Sequence, residues 1–335
     1  RQAFDDWEVI VSDNGALETT AQAVRQYNDP RIKYERASRP LSVTENWNLA
    51  LERSAGDYVV MLGDDDLLLR GYFQALAGVT AQFANPDAVY TGAFLFTYPG
   101  VSTDDQPGTL RPYSYADFLK PQRGRDSGPH LLARSQAVGL VRDFFGFRCR
   151  YGFNMQFVAV SRSYIGSIRS LGPFFQSAFP DYYAMNMLMI KASAIVVLPS
   201  PVVVIGVTRK SYGYFHARRL ESDGRAFLEG AGEPSAPRDR ALLPGSNIND
   251  GWLSALRQIQ LNLGPDNNFE IDYRRYRLLQ ILSVAESWLV FGASDGERVE
   301  LVTLLDRRER AFFEILCLLR HASPRVRRRA FAAIR

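Results

Sequence analysis

The chain has 335 residues, of which 46% are hydrophobic, enough for one large α/β domain with a smaller appendage. The formal charge of +4 is spread over 40 basic and 36 acidic residues, so the composition does not indicate general nucleic-acid binding. The two cysteines, Cys149 and Cys317, are far apart and lack the spacing of a zinc site or a disulfide framework. We therefore expect a reducing compartment, the cytoplasm.

No apolar run approaches the length of a bilayer span, and the nearest candidate, at 192–207, is interrupted by Pro199 and Pro201. We therefore expect a soluble or peripheral protein. The first residue, Arg1, falls within a predicted element, so we also expect the first strand of the domain to precede it.

Strands and helices alternate through the first third of the chain. Runs rich in β-branched and aromatic residues predict strands at residues 7–12, 32–35, 58–62 and 88–96. Apolar residues at helical spacing predict helices at residues 19–27, 44–54 and 67–83. This alternation predicts an α/β protein with a doubly wound, mostly parallel, Rossmann-like sheet.

The rest of the chain changes from this α/β pattern to a helical one. Residues 98–125 are rich in Pro, Gly, Asp and Ser and predict a long surface loop. Further helices and strands are predicted up to residue 207, a Gly- and Pro-rich stretch follows at 230–240, and helical spacing dominates after it. The predicted parts are an α/β domain at 1–216, a linker or lid at 217–249 and a helical C-terminal subdomain at 250–335.

Three consecutive carboxylates, Asp64, Asp65 and Asp66, follow the apolar run of the predicted strand at 58–62. Open α/β sheets bind their ligands at the carboxyl ends of strands. Because adjacent carboxylates repel one another, a strand that delivers them together favours a bound cation, and ligands that are all oxygen favour Mg²⁺ or Mn²⁺. The alternative is a solvated acidic turn that caps a helix beginning at Leu67.

Four short motifs occur in order within the first quarter of the chain. They are FDDWEVIVSDNG at 4–15, NWNLAL at 46–51, AGDY at 55–58 and GDDD at 63–66. Their joint order and spacing resemble the family 2 glycosyltransferases, which have the nucleotide-diphospho-sugar transferase fold called GT-A. The resemblance implies a GT-A fold and the transfer of a sugar from a nucleotide-activated donor.

The resemblance also implies roles for the acids of these motifs. Asp13 would contact the base of the nucleotide, usually uracil, because a carboxylate accepts the ring N–H, and a turn-forming Asp is the alternative. The acids of GDDD would hold the metal as the DXD element, although the first acid of the usual family pattern falls on Gly63. Their own spacing favours Asp64 and Asp66 as the ligands, with Asp65 close behind.

A further carboxylate, Asp181, stands in the sequence FPDYY at the predicted start of a helix. It resembles the position of the acid that serves these enzymes as catalytic base, with Pro180 in place of the more common Glu. Such a base would take the proton of the attacking hydroxyl group. The alternative is an Asp that caps the helix, and the two roles are compatible.

Basic residues follow the last predicted strand and end the chain. Members of the wider fold use a His in a comparable closing loop as a metal ligand, which implies that role for His216, with a surface residue as the alternative. Arg209 and Lys210 are interpreted as contacts to a diphosphate, or else as a solvated basic turn. The cluster at 325–331 is typical of a peripheral contact with an anionic membrane, or of a solvated helix end.

The sequence thus predicts a metal-dependent, inverting glycosyltransferase of polysaccharide biosynthesis. It would move a sugar from a nucleotide-diphospho-sugar to a hydroxyl group of a glycan or lipid-linked glycan. The favoured donor is a UDP-sugar. Mn²⁺ or Mg²⁺ is the expected cofactor, and the inner face of the membrane is a second expected location. Two other functions stay open: a nucleotidyltransferase on the same fold, and a non-catalytic module that binds a nucleotide or a glycan.

Overall fold

The computed structural model describes residues 2, 4–15, 18–101, 107–113, 128–217, 220, 223–224, 242–293 and 295–334, except for the side chains of residues 216 and 217. Most of the predicted loop at 98–125 and of the predicted linker at 217–249 therefore lies outside the described residues. Within these ranges, no helix combines the length and the apolar character that a membrane span requires.

The chain opens with a β-α-β unit. It consists of β1 (Val9–Asp13), α1 (Thr19–Arg25) and β2 (Ile32–Arg36). The two strands pair in parallel from Val9 with Ile32 to Asp13 with Arg36, and they form a two-stranded sheet of their own. The first two strands and the first helix predicted from the sequence are confirmed, and Asp13 lies at the carboxyl end of its strand.

A seven-stranded sheet forms the centre of the domain. Its strands are β3 (Tyr58–Val59), β4 (Leu67–Leu68), β5 (Ala88–Thr97), β6 (Thr109–Pro112), β7 (His130–Leu131), β8 (Val158–Ser161) and β9 (Ile195–Val207). The main strand order is β3-β8-β5-β9-β4, with β6 paired to β5 and β7 paired to β9. The longest ladder joins β5 and β9 in parallel over 10 residue pairs, and the shorter strands pair antiparallel.

Helices pack on the sheets and make up the C-terminal part of the chain. The α/β part contains α2 (Val43–Arg53), α3 (Tyr72–Gln82), α4 (Arg134–Phe145), α5 (Arg162–Ser167), α6 (Pro180–Lys191) and α7 (Tyr212–Ala217). The C-terminal part contains α8 (Asn247–Leu263), α9 (Tyr273–Phe291), α10 (Asp295–Leu304), α11 (Arg307–Cys317) and α12 (Pro324–Ile334). The predicted α/β class with a helical C-terminal region is confirmed.

The strand predicted at 58–62 and the helix predicted at 67–83 are shorter in the structure. β3 pairs with β8 over two residues only, and β4 forms on β9, at the other end of the strand order. The chain between them therefore crosses the sheet, and α3 begins only after Gly71. Tertiary pairing overrides local propensity here. The three consecutive acids lie on this crossing, in a turn at residues 63–66 that we call the acid turn.

Three hydrophobic clusters occur among the described residues, and the two with the most buried residues organise the fold. The larger cluster packs the central sheet against α4, α6 and α8, and it buries α6 from Tyr182 to Ile190. The smaller cluster joins α9 to the last three helices through residues such as Leu282, Leu301 and Phe313. The apolar side of α8 therefore belongs to the main core, while the domain division at residue 250 stays a prediction.

Strand β9 can approach the acid turn only because residue 206 is glycine. A Cβ atom built on Gly206 would overlap the backbone carbonyl oxygen of Asp65. We expect Gly206→Ala to lower the free energy of unfolding by roughly 1–3 kcal/mol, because the backbone must shift to relieve the overlap. Urea denaturation followed by circular dichroism measures this loss.

Gly78→Ala is the matched control for this variant. Gly78 lies inside α3, and a Cβ atom there would meet no heavy atom within 4 Å. This substitution should be neutral or should stabilise the protein by about 0.5–1 kcal/mol, since alanine restricts the unfolded chain more than glycine does. Equal losses of stability in the two variants would contradict the close approach at Gly206.

Candidate active site

The carboxylate of Asp66 holds the acid turn in place. Its Oδ2 accepts hydrogen bonds from the backbone N–H of Gly63 at 2.6 Å and from the side-chain amide of Gln156 at 2.8 Å. Its Oδ1 accepts a hydrogen bond from the backbone N–H of Gly206 at 3.0 Å. Gln156 lies in the 3-10 turn at Met155–Phe157 that leads into β8, and Gly206 lies in β9, so one carboxylate ties the acid turn to two other parts of the sheet region.

Asp65 is a half-buried acid of the same turn. Its Oδ2 accepts a hydrogen bond from the hydroxyl group of Ser211 at 2.5 Å, and its backbone carbonyl accepts one from Tyr98 at 3.4 Å. Burial raises the pKa of Asp65, and the negative charges of Asp66 and Asp64 add to the rise. Asp64 itself is exposed. A half-buried carboxylate with a raised pKa is stabilised in its charged form by a nearby cation.

Two of the acids converge over Gly63. The position of a Cβ atom on Gly63 lies 2.9 Å from Oδ1 of Asp65 and 3.0 Å from Oδ2 of Asp66. Mg²⁺ is commonly held by one or two carboxylates together with phosphate oxygens of a substrate, so these residues fit such an ion. Groups of three or more acidic, His or Cys side chains placed to hold a metal are absent from the described ranges, and a site of this type does not need one.

Asp13 is a buried carboxylate at the end of β1, with 6% of its surface exposed. Its Oδ2 accepts a hydrogen bond from the hydroxyl group of Tyr34 at 2.7 Å, and its Oδ1 accepts one from the backbone N–H of Gly15 at 2.8 Å. The hydrogen bond to Asp13 raises the pKa of Tyr34.

A cavity of about 370 Å³ lies close to this carboxylate. It is lined by residues between 37 and 52, from the segment after β2 and from α2. The backbone N–H of Ala37, one of the lining residues, donates a hydrogen bond to the carbonyl of Asp13 at 3.1 Å. A cavity of this size near the end of β1 has room for a nucleoside.

Helix α2 joins β1 to the segment that leads into α6. Asn46 of α2 accepts a hydrogen bond from the hydroxyl group of Ser12 in β1 at 2.7 Å. Asn48 exchanges two hydrogen bonds with the backbone of Phe175, at 2.9 and 3.1 Å. A capping box fixes the first turn of the helix. The acids at the end of β1 and at the start of α6 are thus connected through one helix.

Asp181 lies in the first turn of α6, directly after Pro180, while Phe179 holds the N-cap position. Its Oδ1 accepts a hydrogen bond from the backbone N–H of Tyr182 at 2.9 Å. Burial raises the pKa of Asp181 to about 7, although backbone hydrogen bonds oppose the rise. A carboxylate with a pKa near neutrality can take a proton efficiently at neutral pH, as a general base must.

Two consecutive residues join the acid turn to the start of α6. Ser211 donates its hydrogen bond to Asp65, and Tyr212 packs edge-on against Phe179 with ring centroids 5.2 Å apart. Phe179 is separated from Asp181 by a single residue. The structure therefore brings the acid turn and Asp181 to one region of the domain.

Arg209 and Lys210 lie on the turn between β9 and α7, and both are exposed. The Nε of Arg209 donates a hydrogen bond to the carbonyl of Gly100 at 2.7 Å. The next residue, Ser211, is bonded to the acid turn, so both cations lie beside it. The side chain of His216, the predicted further metal ligand, lies outside the described residues.

Sequence reasoning missed Gln156 and Ser211. Their partners in the acid turn are 90 and 146 residues away, and neither side chain belongs to a motif that signals such a contact. The Oε1 atom of Gln156 is buried and has no hydrogen-bond partner within the described part of the chain. Buried polar atoms are normally satisfied, so this atom is a candidate acceptor for a ligand hydroxyl group.

Comparison with known proteins finds a family match over the first part of the chain. Residues 1–140 match the family model described as Glycosyl transferase family 2. The matched segment contains the four motifs, Asp13 and the acid turn. Residues 1–140 are therefore similar to glycosyl transferase family 2, the family that the four motifs resemble.

Individual relatives are more distant. A stretch of 78 residues is 37% identical to the GalNAc(5)-diNAcBac-PP-undecaprenol beta-1,3-glucosyltransferase of Campylobacter jejuni subsp. jejuni serotype O:2, and it covers 22% of this chain and 25% of that protein. The solved structure of S. aureus TarS 1–349 is similar with a TM-score of 0.45 and 14% identity, over 93% of this chain and 84% of that one. GalNAc-T7, solved with UDP, GalNAc and Mn²⁺, gives a TM-score of 0.38 and 12% identity, over 67% of this chain and 48% of that one.

The raised pKa of Asp181 predicts a pH-dependent cost to stability. Between its ordinary pKa of 3.8 and the folded value of about 7, the folded chain binds more protons at this site than the unfolded chain. The contribution of Asp181 to the free energy of unfolding should therefore fall as pH rises from about 4 to about 7. Asp181→Asn should remove this fall, so that the variant gains stability over the parent as pH rises.

Urea denaturation of both proteins at several pH values between about 4 and 8 measures the difference. The carboxylates whose pKa is lowered in the folded chain, such as Glu45, are common to both proteins and cancel in the comparison. A difference in stability that does not change with pH would show that Asp181 titrates normally.

Proposed function

We propose that this chain is a metal-dependent, inverting glycosyltransferase that moves a sugar from a UDP-sugar to a hydroxyl group of a glycan or lipid-linked glycan. The observation that carries the proposal is the convergence of two carboxylates over Gly63, in a region joined through Ser211 and Tyr212 to the start of α6, where Asp181 lies. The match of residues 1–140 to glycosyl transferase family 2 supports the reaction class.

The nucleotide would bind beside β1. Each oxygen of a carboxylate has two lone pairs, so Asp13 can accept the N–H of uracil while it keeps the hydrogen bonds from Tyr34 and Gly15. The adjacent cavity has room for the nucleoside. Asp13 would therefore select the base, and its fixed position would orient the rest of the donor.

The diphosphate would lie between the acid turn and the turn that carries Arg209 and Lys210. These two cations would donate hydrogen bonds to phosphate oxygens. Mn²⁺ or Mg²⁺ held by the acid turn would stabilise, as a Lewis acid, the charge that develops on the leaving diphosphate.

The geometry of the acid turn favours Asp65 and Asp66 as the metal ligands. Their carboxylates converge over Gly63, whereas Asp64 is exposed. Oδ2 of Asp66 already accepts two hydrogen bonds, so Asp66 would bind the ion through Oδ1, which accepts one. Asp64 and His216, both predicted from the resemblance, would be further ligands in this proposal. The buried Oε1 of Gln156 would accept a hydrogen bond from a hydroxyl group of the donor.

Transfer would occur in one displacement. The acceptor hydroxyl oxygen forms a bond to the anomeric carbon while the bond from that carbon to the phosphate oxygen breaks, and UDP leaves with the electron pair. Asp181 takes the proton of the hydroxyl group, a role that its pKa of about 7 supports at neutral pH. Because attack occurs on the face opposite the leaving group, the configuration at the anomeric carbon inverts.

The acceptor class is proposed from the curated relative. That protein is described as acting on a glycan linked to undecaprenol through diphosphate. A lipid-linked glycan presented at the cytoplasmic face of a membrane would suit an enzyme of polysaccharide biosynthesis that binds there peripherally. Because the alignment covers a quarter of that relative, acceptor and linkage are part of the proposal.

Isothermal titration of the chain with UDP, with and without Mn²⁺, tests the donor site. We expect Mn²⁺ to raise the affinity for UDP about tenfold or more, and Asp65→Asn and Asp66→Asn each to remove most of that gain, because the carboxylate charges hold the ion. Asp57→Asn, at an exposed acid outside the turn, is the matched control and should behave as the parent.

Asp181→Asn separates binding from chemistry. This variant should bind UDP as the parent does, and it should lower the rate of UDP release from UDP-sugars in the presence of acceptor by about 10²–10⁴-fold. An affinity for UDP that is the same with and without Mn²⁺, and the same in the two acid-turn variants, would identify a non-catalytic nucleotide-binding module instead. Unchanged turnover in Asp181→Asn would remove this residue from the mechanism.

A further inference from the structure

The C-terminal helices expose apolar side chains at the end of the chain that is richest in arginine. Ile315 of α11 is 63% exposed, Leu318 in the short 3-10 turn after it is 65% exposed, and Val326 in the first turn of α12 is 51% exposed. Ile315 and Leu318 are three residues apart in continuous helical structure, so their side chains are neighbours on one face. These side chains form an apolar surface that no described part of the chain covers.

Every charged residue at the C-terminal end of the chain is basic. From residue 315 to residue 335 the sequence contains no Asp or Glu, and its basic residues are His321 together with Arg320, Arg325, Arg327, Arg328, Arg329 and Arg335. Arg320, Arg325, Arg328 and Arg329 are exposed in the structure. An apolar surface and several exposed cations therefore lie within about fifteen residues.

Two residues of the segment 325–331, Arg327 and Phe331, make internal contacts. Arg327 donates hydrogen bonds to the backbone carbonyls of Leu289 at 2.6 Å, Ala322 at 3.0 Å and Leu319 at 3.1 Å. Phe331, the aromatic residue of the cluster, is fully buried in the smaller hydrophobic cluster. Neither side chain can contact a partner, so a docking surface here must use the neighbouring residues.

The contacts of Arg327 also place these neighbours together. Its hydrogen bonds join the turn at 318–322 to α12, so Leu318 and Arg320 are held beside the first turn of that helix, which carries Arg325 and Val326. We call the exposed surface of residues 315–329 the C-terminal corner.

We propose that the C-terminal corner docks the protein on an anionic lipid surface. Peripheral proteins bind membranes by inserting exposed apolar side chains at the headgroup boundary while Lys and Arg contact anionic lipids, and this surface contains both elements. The proposal rests on the proposed function in one respect, because docking would concentrate the enzyme where a lipid-linked acceptor lies.

Other occupants fit the same surface less well. A second copy of the chain, related by a two-fold axis, would place the arginines of one corner against those of the other, and residues 315–335 contain no acid to neutralise them. A nucleic acid would contact the arginines through its phosphates and would leave the apolar side chains uncovered. Of these three occupants, an anionic bilayer is the one that satisfies the charged and the apolar part together.

Sedimentation with vesicles tests the proposal. We expect the protein to bind vesicles of equal parts phosphatidylcholine and phosphatidylglycerol, to release them at high salt, and to bind phosphatidylcholine vesicles weakly. Arg325→Gln combined with Arg329→Gln should weaken binding about twentyfold or more, and Ile315→Ser combined with Leu318→Ser should weaken it at least tenfold.

Matched controls are available elsewhere on the surface. Leu261→Ser removes an apolar side chain that is 74% exposed on α8, and Arg25→Gln removes an exposed cation on α1; both should bind vesicles as the parent does. Circular dichroism checks that each variant is folded. UDP titration in solution should be unchanged in every variant, so loss of vesicle binding is distinguishable from loss of the donor site.

Three results would overturn the proposal. The first is equal binding to neutral and anionic vesicles, or no binding to either. The second is a dimer in sedimentation velocity that Ile315→Ser with Leu318→Ser dissociates, which would make the corner a contact between copies. The third is binding to duplex DNA that is as strong as binding to anionic vesicles and is unchanged by the apolar substitutions. This result would make the C-terminal corner a general polyanion-binding surface.

Discussion

The carboxylate of Asp66 is the interaction on which the proposed site depends. It accepts hydrogen bonds from Gly63, Gln156 and Gly206, and so it fixes a turn that crosses the sheet from one edge to the other. Without this anchor, three adjacent carboxylates would separate into solvent, because their charges repel one another. Because Asp66 is held, Asp65 is held half-buried beside it, and a cation is the partner that the pair lacks among the described residues.

The second half of the site is held by packing rather than by charge. Asp181 stands at the start of a helix that is buried almost throughout its length, and this burial raises its pKa to about 7. Contacts from α2 and from Tyr212 hold the segment before that helix. Electrostatic anchoring of one carboxylate and desolvation of another thus suit the two acids to the different tasks that we propose, binding a cation and accepting a proton.

Local patterns predicted the parts of the fold that depend on neighbouring residues. The β-α-β start, the position of Asp13 and the existence of the acid turn follow from apolar runs and turn residues. The two-residue length of β3, the strand at Leu67–Leu68 and the contacts of Gln156 and Ser211 depend on residues that are 90 or more positions away, which no local pattern encodes. The same holds for the basic cluster near the C-terminus, because the burial of Phe331 results from tertiary packing that the local sequence does not encode.

The most direct measurement is the anomalous scattering of manganese in crystals grown with Mn²⁺ and UDP. We predict a manganese peak bound by the carboxylates of Asp65 and Asp66 over Gly63, with the diphosphate of UDP completing its coordination. A peak away from these two side chains, or UDP bound in the crystal with no manganese at the acid turn, would contradict the idea that this turn exists to hold a cation against the donor.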